Sequence, residues 1–280
     1  MTILRQNPLE SFNNRFCQVV GKLELRVNDY DAFAPVYDRI MGFDYAELIT
    51  PSYSHVIETH FPECKINHLD LACGSGAFGR LIVNAFNPRL SSYGIDMSIG
   101  QIASAKQKAR DSGVLLDYNV GNVLTCEFPA QMQVVTMNLD ALNHLRSLEQ
   151  WSSLFRKVYS ALECGGTFLF DINTQRRILH DWNTAEIIIK PDMTYVQIGS
   201  GVVRENDVVR RRLYMEVFTR EPAGAYAVVV EQIAPTTDKL YQMLFDAGFS
   251  DVKETAFLRD ERMSHIFMKN RLHLIAKRKN

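Results

Sequence analysis

A chain of 280 residues, 46% of them hydrophobic, carries enough apolar side chain to bury one full core, or one core bearing a sizeable insertion. Its formal charge of −1 supplies no positive field for gathering nucleic acid phosphates or an anionic membrane, so the expected partner is a small molecule. The five cysteines (Cys17, Cys64, Cys73, Cys126 and Cys164) are odd in number and form neither a Cys-x-x-Cys pair nor a zinc-finger spacing, which points to reduced thiols, a cytoplasmic setting and no metal site.

Residues 1–28 mix Arg5, Glu10, Arg15 and Lys22 with short apolar stretches and read as an N-terminal extension, not a secretory signal. No stretch approaches the ~20 apolar residues of a membrane span. From about 66 to 172, short β-branched or apolar runs alternate with helical patterns, as in βαβ units on a parallel sheet. The spacing predicts strands at Asn67–Ala72, Ser92–Ile95, Leu115–Asn119, Val134–Asn138 and Thr167–Asp171. It predicts a helix from a Ser98 cap to about Ser112, with Gly113 just past its end, and a second helix over Leu148–Leu162. From about Thr184 to Ile233 the pattern turns antiparallel, with turns expected at Pro191-Asp192, Gly199–Gly201, Asn206-Asp207 and Pro222–Gly224. A helix capped by Thr236 or Thr237 and ended by Gly248, then strands at Asp251–Phe257 and Arg271–Lys277, close the chain.

Gly74-Ser75-Gly76-Ala77-Phe78-Gly79 stands where a strand meets a helix, a place where backbone comes close to a ligand and the helix N-terminus offers unpaired N–H groups. The string satisfies GxGxxG, so a dinucleotide remains open on the glycines alone. Asp70, inside the strand, tips the balance: a pyrophosphate would repel its carboxylate, whereas a ligand bearing a sulfonium and an ammonium would be attracted to it. Asp96 ends the next strand, where its oxygens can accept two ribose hydroxyls or cap a helix; either cofactor would use it.

These residues bring out a resemblance. Asp70-Leu71-Ala72-Cys73-Gly74-Ser75-Gly76 resembles the first motif of class I S-adenosylmethionine-dependent methyltransferases, Gly94-Ile95-Asp96-Met97-Ser98 their ribose motif, and Gly121-Asn122-Val123 their adenine-contacting loop. Ala72 and Asn122 depart from the more usual glycine and aspartate. The resemblance implies a Rossmann-like, doubly wound α/β fold with a seven-stranded, mostly parallel sheet. It implies S-adenosylmethionine as cofactor, held by Tyr30, Tyr37, Asp70, Ala72, Gly74, Gly76, Asp96, Met97, Asn122, Val123 and Asn138. The core would comprise 29–172 and 235–280, with 29–62 as lid helices and 173–234 as an antiparallel insertion roofing the active site.

In such a sheet the reactive crevice lies beyond the carboxyl ends of the strands, and there the sequence reads Asn138-Leu139-Asp140-Ala141-Leu142-Asn143-His144. An extended chain would put Asn138 and Asp140 on one face. The segment resembles that of amino-sugar N-methyltransferases and their relatives, which implies His144, Asp140 and Tyr37 as catalytic and Asp140, Asn143 and His144 as contacts to a small-molecule methyl acceptor. His144 would take a proton from an arriving ammonium and Asp140 would orient it. The plainer alternative has Asp140 and Asn143 capping a helix and His144 packing. Of Arg210-Arg211-Arg212, at most two can share a strand face, either to clamp an anion or to edge the sheet with charge. The expected activity is methyl transfer to a small molecule, with nitrogen preferred to oxygen or carbon, by a monomer or homodimer. An NAD(P)-dependent reductase and a non-catalytic cofactor-binding partner are the alternatives.

Overall fold

A computed structural model of the protein describes residues 2–6, 28–183, 185–220, 223–255 and 270–279. The chain opens with β1 (Thr2–Gln6) and, from Asn28, a run of turns leads through a π turn at Asp38–Gly42 into α1 (Phe43–His60). The alternating core follows as β2 (Ile66–Leu71), α2 (Ala77–Phe86), β3 (Leu90–Asp96), α3 (Ile99–Asp111), β4 (Asp117–Val120), β5 (Met132–Met137), α4 (Leu148–Ala161) and β6 (Leu162–Asn173). Next come α5 (Gln175–His180), β7 (Ala185–Ile189), β8 (Met193–Glu205), β9 (Val208–Arg220), β10 (Ala223–Pro235), α6 (Thr237–Asp246), β11 (Ser250–Glu254) and β12 (Arg271–Lys277).

Local chemistry explains where the helices start and stop. Ser98, Ser147 and Thr236 cap α3, α4 and α6 by accepting the N–H of the third residue on, and Gly113 (φ 67°) and Gly248 (φ 105°) follow two of those helices in the left-handed conformation. Trp151, Leu154, Phe155 and Val158 recur at helical spacing on α4 and are buried together with the α6 face.

The main sheet runs β11-β12-β6-β5-β2-β3-β4. All described pairings from β6 to β4 are parallel, and β12 alone is reversed. Strand order changes direction between β2 and β5, where the chain leaves one half of the sheet for the other. The loops after these two strands therefore diverge at their carboxyl ends and open a crevice.

A second, antiparallel sheet, β1-β7-β8-β9-β10, forms the roof. Its outermost strand, Thr2–Gln6, pairs with Ala185–Ile189, so the start of the N-terminal extension belongs to the roof. The rest of that extension, up to residue 27, lies outside the described residues, as do the last two residues of the strand expected over 251–257. The turn expected at Gly199–Gly201 is instead a bulge within β8, where the register with β9 shifts between Gly199 and Val202. Gly199 sits there because the chain passes close to Trp182: a Cβ would stand 2.0 Å from the Trp182 carbonyl oxygen.

Phe33, Val36 and Ile40, ahead of α1, pack into one apolar cluster with Trp182, Ile188, Leu213, Met215 and Val217 of the roof. This lid segment shares its core with the roof, not with the main sheet. No helix of the described residues is long and apolar enough to cross a membrane.

Candidate active site

A cavity of about 660 Å³ lies in the crevice between β2 and β5, beneath the lid and roof, a size suited to a small-molecule site. Of the residues expected to contact cofactor or acceptor, Tyr30, Tyr37, Ala72, Gly74, Asp96, Met97, Asn122, Val123, Asn138, Asp140 and His144 line it. Asp70, Gly76 and Asn143 do not.

Those three residues have other work. Asp70 is buried under the loop, where the Thr136 hydroxyl donates to it at 2.7 Å; Thr136 in turn meets His68 at 2.8 Å, and His68 meets Ser92 at 2.9 Å. Burial pushes the Asp70 carboxyl up to about 7, against the Thr136 hydrogen bond and with the Asp96 charge adding. Gly76 starts α2 at φ 72°, and a Cβ on it would stand 2.3 Å from the Tyr118 hydroxyl; the glycine is needed there for packing against Tyr118. Asn143 is buried, its amide donating to the carbonyls of Asn173 and Ile233 and its oxygen accepting from the Asn173 N–H. It ties β6 to the roof.

At the nucleoside end, Asp96 accepts the N–H groups of Gly74 and Ser98, each at 2.8 Å. Burial raises its pKa, countered by these two bonds. Each oxygen keeps a further lone pair for a hydroxyl at the cavity wall. Gly121, Asn122 and Val123 form the rim beside it, with the Asn122 oxygen accepting from Leu124 N–H.

In the middle of the cavity, Asn138 has both amide atoms buried with no partner among the described residues, and Gln101 has its amide oxygen in the same condition. Buried amides are almost always bonded, so these wall atoms are fitted to a polar ligand. Gln101 stands beside Gly74, whose position the Tyr37 ring covers: a Cβ there would be 3.5 Å from Tyr37 and 4.0 Å from Gln101. The set of one carboxylate at a strand end, two unsatisfied amides and a tyrosine ring fits the ribose, amino acid and sulfonium parts of S-adenosylmethionine.

The acceptor end is built around a strained turn. Leu139 (φ 55°) and Asp140 (φ 51°) are both left-handed, so Asn138 and Asp140 do not alternate along an extended strand as their spacing suggested. The buried Asp171 carboxylate holds the turn by accepting Leu139 N–H at 2.6 Å and Asp140 N–H at 2.7 Å, together with the Tyr45 hydroxyl at 2.6 Å. A 3₁₀ turn over Ala141–His144 then delivers His144 to the cavity.

Arg271 of β12 bridges the two acids, donating to Asp171 and, at 2.5 Å, to Asp140. The second Asp140 oxygen accepts from Gln232 of β10. Both oxygens of Asp140 thus have protein partners, and its expected role as direct orienter of an amine is shared with them. The same Gln232 nitrogen lies 3.2 Å from His144 Nε2, and the Tyr30 hydroxyl 3.3 Å from it. Burial holds the His144 pKa below the usual imidazole value, opposed by Asp140 and the Glu231 backbone.

The lid is clipped to the core by its acids. Asp31 accepts the Ser98 hydroxyl at 2.5 Å and Gly100 N–H at 2.8 Å, at the N-terminus of α3. Asp38 meets Lys108 at 2.6 Å and also accepts from Ser75. Just ahead of the first clip, Tyr30 stands edge-on to both Tyr37 (6.0 Å) and His144 (5.6 Å). Arg210 and Arg212 share a face as expected, but both pair with Glu231, while Arg211 turns inward to the carbonyls of Ser200 and Ile178.

Sequence reasoning missed Arg271, Gln232, Arg177 and Glu186, which line the acceptor end from four different elements. The available signal was a charged residue at an inward position of an otherwise apolar strand, Arg271 in Arg-Leu-His-Leu-Ile-Ala.

Comparison with known proteins bears on the family and the fold. Residues 69–166 match a methyltransferase domain family. The Bacillus subtilis protein YqeM, itself classed with the methyltransferases, is 26% identical over 237 residues, covering 84% of this chain and 92% of its own. A carboxy-S-adenosyl-L-methionine synthase of Campylobacter curvus is 29% identical over 145 residues, covering 51% of this chain and 60% of that one. Among solved structures, an S-adenosylmethionine-dependent methyltransferase from Clostridium acetobutylicum superposes with a TM-score of 0.72 at 19% identity, covering 90% of this chain and all of that one. The sugar N-methyltransferase KedS8 of Streptoalloteichus gives 0.64 at 16% identity, with 93% and 96% covered.

Proposed function

The chain is an S-adenosylmethionine-dependent methyltransferase of the class I fold, and on that premise we propose that it methylates a small molecule at an amine nitrogen. The dinucleotide reductase and the non-catalytic partner are set aside with that membership. The observation that carries the acceptor reading is the imidazole of His144 at the far end of the cavity, next to Asp140. Asp140 and Glu186 line that end together with Arg177 and Arg271, and burial holds the His144 imidazole neutral among them. A neutral imidazole beside a carboxylate suits an amine acceptor, which arrives protonated and has to give up a proton before its nitrogen can react. The solved sugar N-methyltransferase with the same fold is consistent with this class of acceptor.

S-adenosylmethionine, when bound, supplies a methyl group on a sulfonium, open to in-line displacement. Asp96, Asn138, Gln101, Gly74 and Tyr37 would hold it, with Tyr37 and Tyr30 excluding water. An ammonium has no lone pair, so the acceptor must first lose a proton, and neutral His144 receives it at the acceptor end. The lone pair so freed would face the methyl group that the cofactor, held by those residues, supplies. Holding the nitrogen ~3–3.5 Å away and aligned supplies most of the acceleration. The apolar roof surface of Trp182, Ile188, Leu213, Met215 and Val230 would cover the acceptor's body.

A panel of small primary and secondary amines, phenols and carbon acids, incubated with S-adenosylmethionine and read by release of S-adenosylhomocysteine, tests the reading. Turnover is expected among amines bearing an apolar body. Turnover confined to phenols or carbon acids would overturn the nitrogen acceptor while leaving methyl transfer intact.

A further inference from the structure

We propose that Gln232 and Arg271 are positioning residues of the transfer site: together they fix the neutral tautomer and the orientation of His144 through Asp140. The inference rests on the reading of His144 as proton acceptor.

Two amide orientations are settled by their partners. Gln232 Oε1 accepts from Asn173 Nδ2 at 2.8 Å, so its NH₂ group faces the other way, toward Asp140 and His144. A carboxylate only accepts, so one N–H goes to Asp140; the other is left for His144 Nε2, which must then be the unprotonated nitrogen. The proton of neutral His144 accordingly sits on Nδ1, a buried atom with no hydrogen bond of full geometry among the described residues, beside the Glu231 backbone. The Tyr30 hydroxyl, at 3.3 Å from the same Nε2, approaches it from the lid side.

Arg271 sets the position of Asp140 in turn. It is pinned by Asp171, which also holds the backbone of the Leu139–Asp140 turn, so one carboxylate fixes both the turn and the cation that neutralises the next carboxylate. With Arg271 on one oxygen and Gln232 on the other, both Asp140 oxygens already accept a protein N–H. Proton acceptance is thereby directed to His144 Nε2, the atom facing the cavity from the joint of core, lid and roof. An arriving acceptor N–H replaces the Gln232 or Tyr30 contact at that lone pair. Among the described residues, the charged and titratable groups around His144 are Asp140 in its own turn, Tyr30 of the lid, Glu231 of β10 through its backbone, and Arg271 of β12 behind Asp140.

The test needs no identified acceptor. Histidine labelled with nitrogen-15 is followed by NMR through a pH titration of the full chain saturated with S-adenosylhomocysteine, with the His144 signal among the seven histidines assigned by loss in His144→Gln. Wild type is expected to show the Nδ1–H tautomer. Gln232→Met removes the donor to Nε2 and frees one Asp140 oxygen, both favouring the imidazolium, so the His144 pKa should rise by about half a unit or more, roughly a threefold or larger gain in proton affinity. Arg271→Lys keeps the charge but not the two-pronged reach, and should shift the pKa in the same direction while the protein stays folded. Affinity for S-adenosylhomocysteine should hold within about twofold in Gln232→Met, since the nucleoside end is untouched. An unchanged His144 pKa and tautomer in both variants overturns the inference. Failure of the underlying reading looks different: His144→Gln would methylate an accepted amine at the wild-type rate.

Discussion

At the scale of single residues, the most informative correction concerns Asp70. Its carboxylate was expected to face the cofactor's positive charge, yet it lies under the glycine loop in a chain of hydrogen bonds through Thr136, His68 and Ser92. The fold therefore uses the acid to join β2 to β5 at the switch point, and does so at an electrostatic cost. Its folded pKa, pushed up to about 7, lies above the ordinary 3.8. Between those values the folded protein keeps a proton that the unfolded chain has released, so the contribution to stability is full at low pH and is lost as pH rises through 7. Asp70→Asn keeps an acceptor for Thr136 without the charge. It should melt several degrees above wild type at pH 8.5 and no higher at pH 4, as read by calorimetry with wild type as reference so that the opposite trend of buried His68 cancels. An equal melting difference at both pH values would show that the carboxyl does not titrate in the fold. A second residue-scale expectation follows from Asp171. Asp171→Ala would leave Arg271 bound on one side only and would release the left-handed Leu139–Asp140 turn, lowering stability by about 3–5 kcal/mol in denaturant unfolding.

At the scale of elements, the parts legible in the sequence are those whose signals are local. The βαβ alternation, the caps Ser98 and Thr236, and the terminating Gly113 and Gly248 each depend on residues within a few positions of one another, and the elements form where they were expected. Gly199–Gly201 misled because glycine marks both turns and bulges; the deciding fact, the carbonyl of Trp182 passing alongside, comes from another element. The site divides in the same way. Asp96, Met97, Asn122 and Val123 line the cavity because a strand end and its loop position them locally, whereas Arg271 and Gln232 reach Asp140 from 131 and 92 residues away and leave no local pattern. The lid clips belong to this scale too. Asp31 sits at the exposed N-terminus of α3, its pKa lowered first by the Ser98 hydroxyl and then by Gly100 N–H. Asp31→Ala should loosen the lid without unfolding the core, so stopped-flow release of bound S-adenosylhomocysteine is expected to quicken by about two- to fivefold. Release at the wild-type rate would mean that the lid is held by its apolar contacts alone.

For the whole molecule, the consequence of the layout is that lid and roof should respond to the cofactor as one body. Phe33, Val36 and Ile40 share a core with the roof strands, Asn28 is bonded to the backbone of β10 on both sides, and Tyr30 meets His144 next to Gln232. A ligand that orders the Tyr30–Tyr37 segment therefore also restrains β10, although the nucleoside end of the cavity lies on the main sheet. Saturation with S-adenosylhomocysteine at a hundred times its Kd adds about 2.7 kcal/mol of stability by mass action, a rise in Tm of roughly 5 °C for a chain of this size. Hydrogen exchange shows where that free energy is spread, since amides that open locally slow by the amount the ligand restrains them. Residues 28–42 and the amides of β9 and β10 near Gln232 should slow together on binding, while α4 and α6, packed on the main sheet and not lining the cavity's nucleoside end, should change little at short exchange times. Protection of the lid with the roof strands unchanged would show two independent bodies, and the acceptor end would then be assembled without regard to whether the cofactor is bound.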